Sequence, residues 1–174
     1  SLVLAEDGSI HMSWSRIDNQ TGEIYYARWD AENEWSEPLL VTDSADDDNS
    51  AVSSIATDSN SNPHITWQDD GVIIASSGPA FPPCTDGAGN PQALDKDIYY
   101  RSIIDGVLSE HVLISDAAGD NFNCGKDSTS PSITINSNDV VYIAWTDELA
   151  GITGSDPDIF IRSLVNGQIR DPFN

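Results

Sequence analysis

The sequence predicts an all-β chain: a β-propeller, here three consecutive four-stranded antiparallel blades that form part of a larger ring. Three observations predict it. Two linked motifs recur three times in the same order, short β-type runs separated by turn residues fill each repeat, and helix-period stretches are essentially absent. The first motif is Ile10-His11-Met12-Ser13-Trp14, then Pro63-His64-Ile65-Thr66-Trp67, then Val141-Tyr142-Ile143-Ala144-Trp145. The second is Glu23-Ile24-Tyr25-Tyr26-Ala27-Arg28, then Asp97-Ile98-Tyr99-Tyr100-Arg101-Ser102, then Asp158-Ile159-Phe160-Ile161-Arg162-Ser163.

Each repeat divides into strands A to D at its turn residues. The first reads Leu2–Ala5, Ile10–Ser15, Glu23–Trp29 and Pro38–Val41. The second reads Ala51–Thr57, His64–Gln68, Asp97–Ile103 and His111–Ser115. The third reads Ser132–Ile135, Val140–Thr146, Asp158–Leu164 and a weaker Gln168–Arg170. All lie in one partial propeller domain, residues 1–174. Blade one covers 1–43, blade two 51–116 with an inserted loop at 71–96, and blade three 131–174. Propellers close their ring with roughly four to eight blades. We therefore expect the remaining blades to come from the same longer chain or from a second copy.

Composition narrows the function classes. Among 174 residues, 29 are acidic and 7 basic, a net charge of −22. Such a surface repels phosphate backbones, which argues against nucleic acid as a partner. It suits cations, basic partners or solubility in salt. No apolar run approaches the roughly 18 residues of a membrane helix, so no membrane span is expected. No signal peptide opens the chain at Ser1, and we expect an upstream segment to have been removed. The expected location is secreted or cell-surface.

Strands in a blade alternate direction, so the A–B and C–D turns share one rim and the B–C and D–A connections share the other. The first rim has tight turns: Asp7-Gly8-Ser9, Ser59-Asn60-Ser61-Asn62, Asn136-Ser137-Asn138-Asp139, Asp105-Gly106 and Asn166-Gly167. The second carries the long segments 43–50, 69–96, 116–130 and 147–157. Long loops on a rigid scaffold are where binding and catalysis concentrate, so function is expected on this rim. Cys84 lies in a B–C loop there, and Cys124 in the D–A loop that leaves the same blade. A Cys84–Cys124 disulfide would close a loop of about 40 residues and stabilise it by ~3–4 kcal/mol. It would also imply an oxidising compartment. Two free thiols are the alternative.

Acids crowd the same rim. Asp43, Asp46, Asp47 and Asp48, with Asn49, share one loop; Asp116 and Asp120, with Asn121, Asn123 and Asp127, share the next. Hard cations take roughly six to eight oxygen ligands, so these loops are the candidate Ca2+ site, although neither has EF-hand spacing. Solvated turn-forming acids are the plainer reading. Asp69 and Asp147 follow the strand-B tryptophan by two residues, and Asp97 and Asp158 open strand C. Paired carboxylates can hydrolyse glycosides, yet their recurrence marks them as turn caps or ladder ends. His11 and His64 share a position that Tyr142 fills in the third blade, which argues for packing over catalysis. Trp14, Trp67 and Trp145 read as inter-blade packing. Arg28, Arg101 and Arg162 recur once per blade and are expected to pair with neighbouring acids. Convergence on an anionic ligand is the sharper alternative.

The residues Pro131–Ile133, Asp58–Asn60, His64–Asp69 and Asp97–Ser102 together resemble the repeat of sialidase-like BNR propellers. The resemblance spans nearly the whole chain, but it rests on blade-building motifs. Sialidases of that fold use an arginine triad, a Tyr–Glu nucleophile pair and an acidic acid/base. They also carry Asp-box turns between strands C and D. Here Asp30 and Trp35 keep the Asp-box spacing, whereas Arg28, Glu32 and Glu34 replace its Ser, Gly and Thr. The segment that supplies the first triad arginine is missing, so no catalytic residue carries over. The resemblance thus implies a non-catalytic member. It would be an extracellular binding or scaffold propeller whose acidic long-loop rim engages a glycan, a surface polymer or a protein. A sialidase-like glycoside hydrolase with catalytic residues partly in other blades, and a structural subunit of a surface layer or filament, are the alternatives.

Overall fold

Fourteen strands and no helix make up the residues that this computed structural model describes, 1–18, 21–42, 49–70, 96–115, 127–147 and 158–170. They form three antiparallel sheets in chain order. The first holds β1 (Leu2–Leu4), β2 (Ile10–Asp18), β3 (Thr21–Asp30) and β4 (Glu34–Trp35), with β5 (Leu39–Leu40) also on β3. The second runs β10 (Val112–Leu113), β8 (Asp97–Ile104), β7 (Pro63–Asp69) and β6 (Ser50–Thr57), with β9 (Val107–Leu108) also on β8. The third is β11 (Ser128–Ile135), β12 (Val141–Asp147), β13 (Asp158–Val165) and β14 (Gln168–Arg170). Each is a meander of the kind a propeller blade uses. The described sheets close no ring or barrel.

The fourth strand departs from expectation. In the first two sheets it comes as two pieces, β4 with β5 and β9 with β10, and the runs expected at Pro38–Val41 and His111–Ser115 shrink to two residues each. A serine spans each break. The Arg28 and Ser102 amides donate to the hydroxyls of Ser36 and Ser109, at 3.0 Å in both cases. Those hydroxyls in turn donate to the carbonyls of Glu37 and Glu110. A side chain thus stands in for one rung of the ladder and satisfies a donor the bent strand would orphan.

Face-to-face stacking supplies the core. β6 packs on β1, β2 and β3, and β11 packs on β6, β7 and β8. Strand alternation gives each sheet an outgoing face, toward the sheet that follows, and an incoming face, toward the one before. Ile24, Tyr26 and Val41 of the first sheet's outgoing face meet Ile55, Ile65, Trp67, Tyr99 and Ile103 of the second. One step on, Ile98, Tyr100 and Ile114 meet Ile133, Val141, Ile143, Trp145 and Leu164. Ile65, Trp67, Ile98 and Ile143 are fully buried, each worth about 1.5–3 kcal/mol relative to exposure. Cross-strand aromatic stacks repeat inside the sheets: Trp14 on Tyr25, Trp67 on Tyr99, Trp145 on Phe160.

Two backbone devices recur. Asp105-Gly106 and Asn166-Gly167 both have positive φ at both residues, which fits a two-residue hairpin turn matching the strand twist. Strands β6 and β11 carry bulges between Ala51 and Ser54 and between Thr129 and Ser132, centred on Val52 (φ 49°) and Ser130 (φ 56°).

Candidate functional site

The two edges of the stack differ in construction. At the edge of tight turns, Asp58 Oδ1 accepts the amides of Asn60 and Asn62, and Asn136 Oδ1 accepts those of Asn138 and Val140. Asp7 Oδ1 accepts the Ser9 amide in the same way. The turns are then joined to one another. Asp139 accepts both the amide and the hydroxyl of Ser59, at 2.8 and 2.7 Å, and the Asp7 amide donates to the Ser61 hydroxyl at 3.3 Å. Neighbouring sheets are thus tied to one another along this edge.

Behind it, Ser9 donates to Asp7 Oδ1 at 2.5 Å, and its only hydroxyl proton is thereby used. His11 Nε2 must then donate to Ser9, leaving Nδ1 to accept from the Tyr26 hydroxyl at 2.8 Å. His64 Nδ1 likewise meets the Tyr100 hydroxyl at 2.6 Å. Burial holds both imidazoles below their usual pKa and pushes both tyrosines up to about 12. For His64 this outweighs the opposing pull of Asp58, 3.6 Å away. Ser9, His11 and His64 are nearly sealed from solvent, so these chains of hydrogen bonds serve packing, as the shared sequence position implies.

The opposite edge carries the ends of the long connections. Here Asp69 Oδ2 accepts the Ser50 hydroxyl and, at 3.2 Å, the Trp67 indole N–H. Asp147 repeats the arrangement with Ser128 at 2.8 Å and Trp145 at 3.1 Å. Both carboxylates are held by the sheet, which fits a ladder end better than an acid/base pair. At the start of strand C, Thr42 donates to Glu23 Oε2 at 2.5 Å and Ser115 donates to Asp97 Oδ1 at 2.6 Å. Glu23 Oε1 is buried and accepts no hydrogen bond among the described residues.

Neighbouring sheets are joined at this edge as well. Asn49, just ahead of β6, accepts the Gly22 amide on Oδ1 at 3.1 Å, and Asp127, ahead of β11, accepts the Lys96 amide at 3.2 Å. The two residues are therefore equivalent. Lys96 Nζ also meets Asp127 at 2.8 Å, and Asp70 accepts from Asn49. A Cβ on Gly22 would lie 2.9 Å from the Ser50 carbonyl oxygen, so glycine is required at that joint.

No protein-family model matches the sequence, and no curated protein matches it. A solved structure that it is similar to is a fucose lectin from Kordia zhangzhouensis in complex with methyl-fucoside, at 12% identity and a TM-score of 0.45. The alignment covers 97% of this chain and 94% of that one. A likeness at that level carries neither ligand nor mechanism over to this chain.

The three arginines do not share one site. Arg101 pairs across its sheet with Ile65 and Arg162 with Ile143, but Arg28 pairs with His11, the position held by Ser102 and Ser163 in the other sheets. Ala27 stands at the arginine position of the first sheet. Arg28 bridges Asp7 at 3.2 Å and Asp30 at 2.8 Å on the tight-turn edge. Arg101 and Arg162 instead donate to main-chain carbonyls of the preceding sheet, Val41 and Ile114 respectively. Pairing with acids was the expectation for all three; Arg28 meets two, and the contacts described here for Arg101 and Arg162 are to backbone carbonyls. Asp30 also accepts the Glu32 and Asn33 amides, so the Asp-box-like turn folds around its aspartate despite its altered sequence.

The candidate cation ligands Asp43, Asp46, Asp47, Asp48, Asp116 and Asp120 lie outside the described residues, as do Cys84 and Cys124. No cluster of three metal-binding side chains occurs among the described residues, and no helix there is long and apolar enough to cross a membrane.

Proposed function

We propose that the chain is a non-catalytic binding or scaffold module, secreted or displayed at a surface, whose long-loop edge engages a glycan, a surface polymer or a protein. The observation that supports this reading is the difference between the two edges. One edge is occupied by sheet-to-sheet hydrogen bonds through Ser59, Ser61 and Asp139. The other, though also joined sheet to sheet at Asn49 and Asp127, carries the ends of the long connections, and two of its acids, Asp69 and Asp147, are engaged by Ser and Trp donors within their own sheets. A rigid platform with long acidic loops is built for contact with a partner, and a net charge of −22 favours contact through bridging cations or with basic groups.

The Ca2+ ligands in this reading are Asp43, Asp46, Asp47, Asp48, Asp116 and Asp120, and a Cys84–Cys124 disulfide ties the two loop systems together. The test is a glycan and protein array probed with the chain in Ca2+ and again in chelator, beside a fluorogenic sialoside assay. Retention on one ligand class in Ca2+, weakened by Asp47→Asn and with no sialoside turnover, is the expected result. Turnover of the sialoside would replace this reading with a hydrolase.

A further inference from the structure

His11 and His64 hold one position in two sheets, yet their rings are not served alike. Each Nδ1 meets a tyrosine hydroxyl of the neighbouring strand. His11 Nε2 has the Ser9 hydroxyl at 2.8 Å, whereas His64 Nε2 is buried and has no hydrogen-bond partner among the described residues. Facing it at 3.6 Å is Asp58 Oδ2, too far for a hydrogen bond, and that oxygen is held by the Asn62 side-chain amide at 3.0 Å. A bare Nε2 would set a lone pair against this carboxylate. The neutral ring therefore carries its proton on Nε2 and accepts from the Tyr100 hydroxyl on Nδ1. A second proton enters at Nδ1, and the Tyr100 hydroxyl must then accept where it had donated. Ser102, which hydrogen-bonds that phenol, can take the hydroxyl hydrogen in return. Burial opposes a charge on either histidine. Beyond that, the charged groups acting on His64 are Asp58 in its own turn and Asp139 in the turn of the third sheet, both carboxylates, while Tyr100 faces it from β8. At His11, Arg28 stands against an added charge.

We infer that His64 and Asp58 form an acid-operated joint: one proton on the imidazole draws Asp58 Oδ2 away from Asn62 and onto Nε2, and so resets the turn that ties the second sheet to both neighbours. Closing 3.6 Å to the roughly 2.8 Å of a charge-assisted hydrogen bond takes less than an ångström, and the Asn62 amide is the donor left behind. The change reaches beyond one pair because Asp58 organises the whole turn, its Oδ1 accepting the amides of Asn60 and Asn62. Ser59 of that turn donates twice to Asp139 of the third sheet, and Ser61 accepts the Asp7 amide of the first. Imidazole is the side chain whose charge changes in mildly acid water, and burial moves that change below the usual 6.5. The joint lies on the tight-turn edge, so it stands whether or not the long-loop edge binds a partner.

Proton–nitrogen NMR correlation spectra of the chain, taken from about pH 7.5 down to about 4.5, test this. The His64 ring should titrate in the folded protein, and the Ser59 backbone amide and Asn62 side-chain amide should shift with the same midpoint. Asp139→Asn keeps an acceptor for Ser59 but removes a facing negative charge, so it should lower that midpoint. Asn62→Ala frees Asp58 Oδ2 and should raise it. In His64→Gln the shift of the Ser59 and Asn62 amides should vanish, with far-UV circular dichroism reporting whether that variant is folded. Should it not fold, the two opposite midpoint changes decide. Four results would overturn the inference: a His64 ring that stays neutral until the chain unfolds, a ring that titrates while Ser59 and Asn62 stay still, amide shifts that persist in folded His64→Gln, or a midpoint indifferent to both Asp139→Asn and Asn62→Ala.

Discussion

At the scale of single residues, polar groups sealed between strands decide more than the exposed charges do. Asp69 is buried and serves two donors, so Asp69→Ala orphans the Ser50 hydroxyl and the Trp67 indole N–H together. We expect a loss of about 2–4 kcal/mol in urea unfolding. Asp147→Ala should cost less, because Asp147 is only half-buried. Acid sensitivity follows from the same burial. His11 and His64 have folded-state pKa values below the usual 6.5, so the unfolded chain takes up their protons first. Their contribution is complete above 6.5 and is lost as pH falls toward the lowered values. Asp7, held to about 2 by its Ser9 hydrogen bonds, and Asp58, lowered by its turn amides against the effect of burial, act further down. Their contribution is complete above 3.8 and is lost on the way to the folded values. Urea midpoints against pH should therefore fall in two separate stages, and NMR titration of the His64 ring should place the first.

At the scale of elements, the strands were legible and the breaks in them were not. Alternation, Asp-Gly and Asn-Gly pairs and the repeated tryptophan located all of the longer strands to within a few residues, because half-buried strands write their pattern along the chain. The bulges at Val52 and Ser130 left no such trace: a residue with left-handed backbone is set by how the sheet must bend, and valine does not announce it. Val52 is 49% exposed and sits at φ 49°, so Val52→Gly should raise unfolding free energy by about 1 kcal/mol. Thermal and urea denaturation check the sign. Arg28 was misread for a related reason. Its motif has one residue more before the arginine than its two counterparts, and in a strand one position turns a side chain to the other face. The Ser59–Asp139 tie, 80 residues apart in sequence, was likewise invisible before the sheets were stacked.

At the scale of the whole molecule, a net charge of −22 opposes compaction. Screening reduces that self-repulsion over a Debye length of about 10 Å at 0.1 M salt. Melting temperature should consequently rise through a sodium chloride series, most steeply at the low end. If divalent cations are bound as proposed, Ca2+ should stabilise beyond what equal ionic strength explains, and a chelator should reverse that excess alone.

The joints made by Arg101 and Arg162 have a consequence for descent. Each guanidinium grips a carbonyl, a group that every amino acid possesses, so the residue being gripped is Val41 at one joint and Ile114 at the other. Drift on that side leaves the donor's target in place. A repeat could therefore be copied, shuffled or exchanged with its neighbour and still find its seat, provided the arginine travels with it. That tolerance suits a chain assembled by duplication, where modules diverge in what they display long before they diverge in how they join.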